Sequence, residues 1–224
     1  MKKSLTNNGG TVTIASGATL NDTIVAGSIF DNAKGAINGA GQLTVSGADT
    51  FEQGKATISG ATVLLNGANL AYTGTGAGAI TTEGISVLKS GAPASGQTLN
   101  VVGTCTLNAV LDTSAFTDNG AIVLNSAACG NNGILGNAGN GTNTLAISGS
   151  LTLGSTGSYE PTVTTSTSDD ISVGGTVGGT LDPKGPFTSA HNYTILSGSF
   201  TGSFSATNGW VVTVGGTSVQ MSHS

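Results

Sequence analysis

Short strands followed by glycine corners recur along the chain. In residues 41–48, Leu43 and Val45 alternate with polar residues, and Gly47 then interrupts the alternation. A period of two is typical of a strand with one buried face, and the glycine is typical of a turn. Similar phrases occupy residues 56–61, 63–68, 99–104, 145–150, 171–176 and 212–217, with a looser copy at 11–18. The pattern predicts one strand-and-corner unit that is used repeatedly.

Composition favours an all-β solenoid over other classes. Glycine accounts for 37 of the 224 residues without the strict triplet of collagen, while only 8% of residues are charged and 37% are apolar. An extended disordered chain would need the opposite balance. Because one coil cannot bury its own apolar face, neighbouring coils must stack. We therefore predict a parallel β-helix with Val, Ile and Leu inside and with hydroxyl, Asn and Gly residues on its outer faces.

Local patterns place strands and loops along this solenoid. Strands are expected near residues 11–14, 23–25, 36–37, 42–45, 56–58, 62–65, 98–102, 105–111 and 121–124. Residues 72–82 and 92–96 are predicted to be corners or loops. The Gly- and Asn-rich residues 130–142 are predicted to be a loop at an internal boundary. No segment has clear helical periodicity, and a short helix, if one exists, is expected near 112–118.

Three regions follow from these patterns: an N-terminal arm at 1–10, loose or pairing; solenoid repeats at 11–143; and terminal coils with a cap at 144–224. A solenoid end exposes core residues and unpaired strand edges, so it needs a cap. An aromatic cluster near the C-terminus is expected to supply it: Phe187, Tyr193, Phe200, Phe204 and Trp210. The alternative for this region is an ordinary β-sandwich module.

The charge pattern argues against nucleic acid as a partner. All six basic residues are lysines, they are scattered, and the formal net charge is −5. Phosphate and base recognition depend largely on arginine and on basic patches, and neither is present. No apolar run reaches the length of about 18 residues that a membrane span needs, so we expect no membrane insertion.

The expected location is extracellular or at the cell surface. Lys2 and Lys3 resemble the start of a secretory signal, but no apolar segment follows them in this chain. Cys105 and Cys129 are the two cysteines. They are consistent either with a disulfide between coils, as in oxidising compartments, or with two buried thiols.

No residue constellation predicts catalysis, a metal or a cofactor. Asp169 and Asp170 are the only adjacent acids, and a solvated turn explains them better than a calcium site. His191 and His223 lie outside any zinc-binding spacing or nucleophile motif. We therefore expect a protein that is not an enzyme and has no cofactor.

The C-terminal third resembles a known family. Residues 151–159, 169–181 and 193–204 contain the phrases Asp-x-Ile-x-Val, Gly-Gly-Thr-Leu, Tyr-x-Ile-Leu and Gly-x-Phe in the order seen in autotransporter-type adhesin passenger domains. The earlier repeats resemble the β-strand repeats of the same bacterial surface proteins. This resemblance implies a right-handed parallel β-helix with an exported, surface-exposed role.

Three functional hypotheses follow. The first is a structural or adhesive surface protein that self-associates through strand edges, for example by donating a strand that contains Leu5, Val12 and Ile14 to a neighbour. The second is a carbohydrate-binding module or phage fibre segment that grips glycans through Tyr72, Tyr159 or Trp210. Ice binding is a weaker third, since no Thr-x-Thr recurs at one place on successive coils.

Overall fold

The computed structural model describes a defined part of the chain. The described residues are 4–22, 26–104, 106, 109–112, 119–126, 133–136, 144–147, 150–153, 158–159, 168, 170–173, 176–181, 191–206, 209–215 and 217–223. All regular structure in them is β, and no helix occurs among them. Residues 113–118, most of the segment considered for a helix, lie outside the description.

Twenty-three strands are described. Their bounds are β1 (Ser4–Ile14), β2 (Thr19–Asp22), β3 (Ile29–Gly39), β4 (Gln42–Ser46), β5 (Thr50–Gln53), β6 (Thr57–Ser59), β7 (Thr62–Asn66), β8 (Asn69–Tyr72), β9 (Gly78–Glu83), β10 (Ile85–Ser90), β11 (Gln97–Gly103), β12 (Ala109–Asp112), β13 (Ala121–Ser126), β14 (Gly133–Gly136), β15 (Thr144–Ile147), β16 (Ser150–Leu153), β17 (Ser158–Tyr159), β18 (Asp170–Val173), β19 (Thr176–Leu181), β20 (Tyr193–Gly198), β21 (Thr201–Ala206), β22 (Trp210–Val214) and β23 (Ser218–His223).

Parallel stacking of alternate strands builds the molecule. Sheet A runs β1-β3-β5-β8-β10-β12-β14, with β6 also on β3, and sheet B runs β2-β4-β7-β9-β11-β13-β16-β19, with β17 and β21 also on β19. Every described pair in these two sheets is parallel. The result is a β-solenoid of about six turns, which confirms the predicted fold class. The right hand of the winding stays a prediction.

The core consists of columns of equivalent side chains from successive coils. In sheet B, one column follows the register Leu20, Leu43, Val63, Ile80, Leu99 and Ile122. In sheet A, a second column follows Leu5, Phe30, Phe51, Leu70 and Leu88. Below the first coil these side chains are buried, and the rings of Phe30 and Phe51 stack at 5.7 Å. The alternation in the sequence thus corresponds to a real inward face.

The C-terminal end departs from parallel stacking. Sheet C runs β15-β18-β20-β23-β22. Its first two pairings are parallel, but β23 pairs antiparallel with both β20 and β22. A hairpin of β22 and β23 therefore ends the described part of this sheet in antiparallel pairing.

Of the two forms expected for the N-terminal arm, loose or pairing, Ser4–Gly10 take the pairing one, because they belong to β1 and pair with β3 of the same chain. Two other local predictions need correction. The segment 72–82 is only partly a loop, since β9 begins at Gly78 and pairs with β7 and β11. The expected loop 130–142 contains β14, which pairs with β12. In each case a strand of the neighbouring coil pairs with the segment through backbone hydrogen bonds. This pairing depends on residues far away in the sequence, so the local glycine-rich composition does not indicate it. The domain limits themselves stay predictions.

Candidate assembly edges

The N-terminal coil presents two open strand edges. β1 and β2 are the outermost strands of sheets A and B, and among the described residues each pairs on one side only. No described strand pairs with these strands on their other side, and an open strand edge is a template for another strand. These two strands could therefore bind a further strand through backbone hydrogen bonds.

Two leucines of this coil head the core columns, and no described strand lies above them. Leu5 heads the sheet A column and Leu20 heads the sheet B column, yet their side chains are 47% and 37% exposed. Their equivalents one coil below, Phe30 and Leu43, are buried. The end of the solenoid therefore shows its hydrophobic interior to solvent, which is the situation that a capping repeat normally prevents.

The residues predicted for an assembly strand have three different environments. Leu5 is exposed, Val12 is half-buried against the core, and Ile14 is buried within it. Because β1 pairs with β3 in its own chain, the strand is part of the solenoid. Its unused edge, together with Leu5, is what a partner would meet.

A third open edge lies near the C-terminus. β22 is the last strand of sheet C and pairs only with β23 among the described residues. Val211 and Val214 on this strand are 54% and 44% exposed. Within the described residues only one other large hydrophobic side chain, Ile85 of β10, is comparably exposed away from the two ends.

Two of these three edges, β1 and β22, lack the features that usually prevent pairing, and the third, β2, contains one acid, the buried Asp22. β1 and β22 contain no charged residue and no proline. Natural edge strands are commonly protected by lysine, by proline or by a covering loop. The composition of both edges therefore permits association.

Beneath the N-terminal coil lies a buried ladder of amide side chains. Asn7 donates from Nδ2 to Asn32 Oδ1 at 3.1 Å, and Asn32 donates from Nδ2 to Gln53 Oε1 at the same distance. Gln53 Nε2 then donates to the carbonyls of Ala56 and Gly76. Gln97 Nε2 donates to the same Gly76 carbonyl at 2.9 Å. The four amides are buried, so this ladder fixes the register of successive coils.

Sequence reasoning missed this ladder because it placed asparagine on outer faces. A signal was present: Asn7, Asn32 and Gln53 each stand shortly before a glycine of a coil corner, at separations of 25 and 21 residues. Such an amide at one place in successive repeats satisfies the polar backbone that a tight corner brings inside.

Four of the five aromatic residues predicted for the cap are described. Tyr193, Phe204 and Trp210 are buried in the hydrophobic core and Phe200 packs against that core as a half-buried residue, while Phe187 lies outside the described residues. The rings of Tyr193 and Trp210 meet edge to face at 5.8 Å.

Both histidines contact this pair of rings, an arrangement that the sequence did not indicate. His191 lies 4.6 Å from the ring of Tyr193, and His223 lies 5.3 Å from the ring of Trp210. His223 also belongs to strand β23. The imidazoles extend the aromatic packing between β20, β22 and β23.

One carboxyl group in this region has a perturbed titration. Burial raises the pKa of Asp170 above its ordinary 3.8, although the hydroxyl of Ser197, which donates to Oδ2 at 2.7 Å, acts in the opposite direction. Its other oxygen is buried without a hydrogen-bond partner. The result is a structural carboxyl group near the junction of β18 and β20.

The remaining candidate residues are placed as follows. Tyr72 is buried, and only the backbone of Tyr159 is described. Cys105 and Cys129 lie outside the described residues, so the disulfide stays a prediction. In the described part of the chain, no cluster of three His, Cys, Asp or Glu side chains could hold a metal ion. No helix in that part has the length and apolar character of a membrane span.

Comparisons with known proteins assign no family to this chain. No family model, no curated protein and no solved structure matches this chain. The stacked parallel strands and the repeated corners identify it as a β-helix repeat protein.

Proposed function

We propose that this chain is a non-catalytic structural or adhesive protein of the extracellular surface that self-associates through its strand edges. The observation that carries the proposal is the N-terminal coil, where Leu5 and Leu20 expose the ends of two core columns beside two edge strands, of which β1 has no charged residue and β2 has only the buried Asp22. Another coil laid on this end would cover both leucines and pair both edges. The resemblance to adhesin passenger domains supports the surface location and is part of this proposal.

Glycan binding is less well supported by the described residues. Tyr72 and Trp210, two of the three aromatics considered as stacking platforms, are buried. A sugar-stacking ring must present a face to solvent, so neither side chain can serve without rearrangement.

Ice binding is likewise disfavoured. On the outer face of sheet B, the paired positions of successive coils are occupied by Gln42 and Thr44, then by Thr62 and Leu64. The next described coils continue with other pairs, namely Ala79 with Thr81 and Thr98 with Asn100. No described coil of this sheet carries threonine at both places.

Electron microscopy over a concentration series tests the proposal. Wild-type protein is expected to form filaments or sheets as its concentration rises. The variant Leu5→Lys/Leu20→Lys places two charges on the open end, so it should form none under the same conditions. Ile85→Lys is the matched control, because it introduces lysine at a side chain that is 64% exposed but belongs to a middle coil.

Assembly that is lost in the double variant and kept in the control supports the proposal. Single rods of wild-type protein at every concentration would overturn it, and so would equal assembly by the wild type and the double variant.

A further inference from the structure

We propose that β22 pairs with β22 of a second copy, antiparallel and about a two-fold axis, so that the C-terminal ends of two solenoids join. This inference rests on the proposed self-association and adds a specific contact to it. Its starting point is the hairpin of β22 and β23, which ends sheet C and leaves one side of β22 without a described strand.

Register determines which backbone groups face outward. Gly215 donates its N–H to the carbonyl of Ser218 at 2.7 Å. In an antiparallel pair, hydrogen-bonded and non-hydrogen-bonded positions alternate. The pairs Thr213–Gln220 and Val211–Ser222 therefore continue the hydrogen-bonded set, whereas Val212 and Val214 direct their N–H and C=O groups away from β23. These two valines offer the edge to a partner.

The side chains of the strand favour pairing with another strand. Its sequence is Trp-Val-Val-Thr-Val, which is aromatic and β-branched throughout and carries no charge. Such residues have the highest strand propensity, and segments of this kind pair readily when exposed at an edge. The exposed side chains of Val211 and Val214 lie on opposite faces of this edge.

A two-fold axis at Val212 makes the edge complementary to itself. Val212 then stands opposite Val212 of the second copy, and the two residues exchange a pair of N–H to O=C hydrogen bonds. Val214 stands opposite Trp210 of the second copy, and Val211 stands opposite its Thr213. Both exposed valines gain a cross-strand neighbour, which is the unit of stabilisation in a sheet. Because the same strand serves both copies, the contact closes on itself as an isologous dimer.

A second copy is a better occupant than an unrelated charged peptide. The edge has no charge with which to select such a peptide, and the last described pairings of sheet C are already antiparallel. The contact covers five residues on each copy, which is small for a protein interface. We therefore expect association at high micromolar concentrations.

A charge pair designed across the two-fold axis tests the register. In Val211→Lys/Thr213→Lys, each lysine faces a lysine of the second copy, so repulsion should weaken dimerisation about tenfold or more. In Val211→Lys/Thr213→Glu, each lysine faces a glutamate, so dimerisation should return to within about threefold of wild type. Both sites are exposed, and Ile85→Lys again controls for an added lysine elsewhere.

Sedimentation velocity of the full chain, from about 10 μM to about 1 mM at low salt, supplies the readout. Circular dichroism confirms that each variant keeps its strands. Weaker dimers in the Lys/Lys variant together with recovered dimers in the Lys/Glu variant support the inference.

Three outcomes separate this inference from the broader proposal. If both Val211 variants assemble as the wild type does, the β22 contact is overturned but the proposed self-association is not. If dimerisation weakens equally in both Val211 variants, and Leu5→Lys/Leu20→Lys also fails to assemble, β22 contacts the N-terminal coil instead. This result also overturns the proposed contact between two β22 strands. Dimers with the expected charge dependence but without filaments support the β22 contact and overturn the extended assembly.

Discussion

At the scale of single residues, buried polar groups distinguish this solenoid from a purely apolar stack. The amide ladder, Asp49 and Asp170 all lie where adjacent coils meet. Asp49, for example, is buried and accepts hydrogen bonds from the backbone N–H groups of Gly27 and Ser28 at 2.7 and 2.9 Å. Each such group forms a hydrogen bond with a backbone or side-chain partner about one coil away. A shift in the register of the coils would break these bonds and so lower the stability of the fold.

Replacing the central amide of the ladder should be costly. Asn32→Ala removes the acceptor of Asn7 Nδ2 and the donor to Gln53 Oε1, so we expect the free energy of unfolding to fall by about 1–3 kcal/mol. Asn66→Ala is the control, because Asn66 is exposed on β7 and should change stability by less than about 0.5 kcal/mol. Urea denaturation measures both. Equal effects of the two substitutions would show that the ladder does not contribute.

Asp170 gives the stability a pH dependence whose sign follows from its environment. Because burial raises its folded-state pKa above 3.8, the folded protein holds this proton more tightly than the unfolded chain does. Its contribution is therefore complete below the unfolded pKa and is lost as pH rises through the folded pKa. Asp170→Asn should be more favourable, relative to wild type, at about pH 7 than at about pH 3.

The partner of this carboxyl group provides the check. Ser197→Ala removes the hydrogen bond that lowers the Asp170 pKa, so it should steepen the same pH dependence. Unfolding measured by urea at both pH values decides the matter. A Ser197→Ala variant with a shallower profile would show that another group is responsible.

At the scale of elements, glycine corners set where strands bend. Gly35, within β3, has a φ of +98°, and a Cβ there would collide with the backbone carbonyl of Gly10 in the coil above. The corner thus needs glycine both for its backbone conformation and for the close approach of two coils.

Two alanine substitutions separate these causes. Gly35→Ala should destabilise the fold by about 2–5 kcal/mol, since it adds overpacking to backbone strain. Gly17→Ala should cost only about 1–2 kcal/mol, because Gly17 also has a positive φ of 75° but no atom lies within 4 Å of the added Cβ. Thermal and urea unfolding compare them. A cost for Gly35→Ala no greater than that for Gly17→Ala would contradict close stacking at this corner.

The elements also show what the sequence could predict. The alternation around Leu43 and Val45 correctly indicated inward-facing strands, because burial on one face has a direct period of two. β9 was missed, because its small residues become a strand only when the neighbouring coils supply hydrogen-bond partners.

Residues far apart in the sequence explain the other differences. Asn32 read as an outward-facing residue, yet its partners lie 25 and 21 residues away in the coils above and below. The two histidines looked isolated until the hairpin of β22 and β23 placed them around Tyr193 and Trp210. The only sequence sign of the ladder is an amide shortly before a glycine in successive repeats, and the sequence has no local pattern for the histidine contacts.

At the scale of the whole molecule, the two ends differ chemically. The N-terminal end exposes the tops of the core columns, whereas the C-terminal end has an aromatic cluster inside and an open strand at its edge. One self-complementary end yields dimers, and extended growth requires contacts at both ends. The proposed assembly therefore depends on the N-terminal coil as well as on β22.

Hydrogen–deuterium exchange at low and high protein concentration tests this account most directly. Amides of β1, β2 and β22 should gain protection as concentration rises, because open edges become paired, while those of β4, β7 and β9 stay unchanged inside the solenoid. Protection confined to the end strands is the predicted result. No gain at any concentration, or a gain in the inner strands β4, β7 and β9 instead, would contradict association through the strand edges.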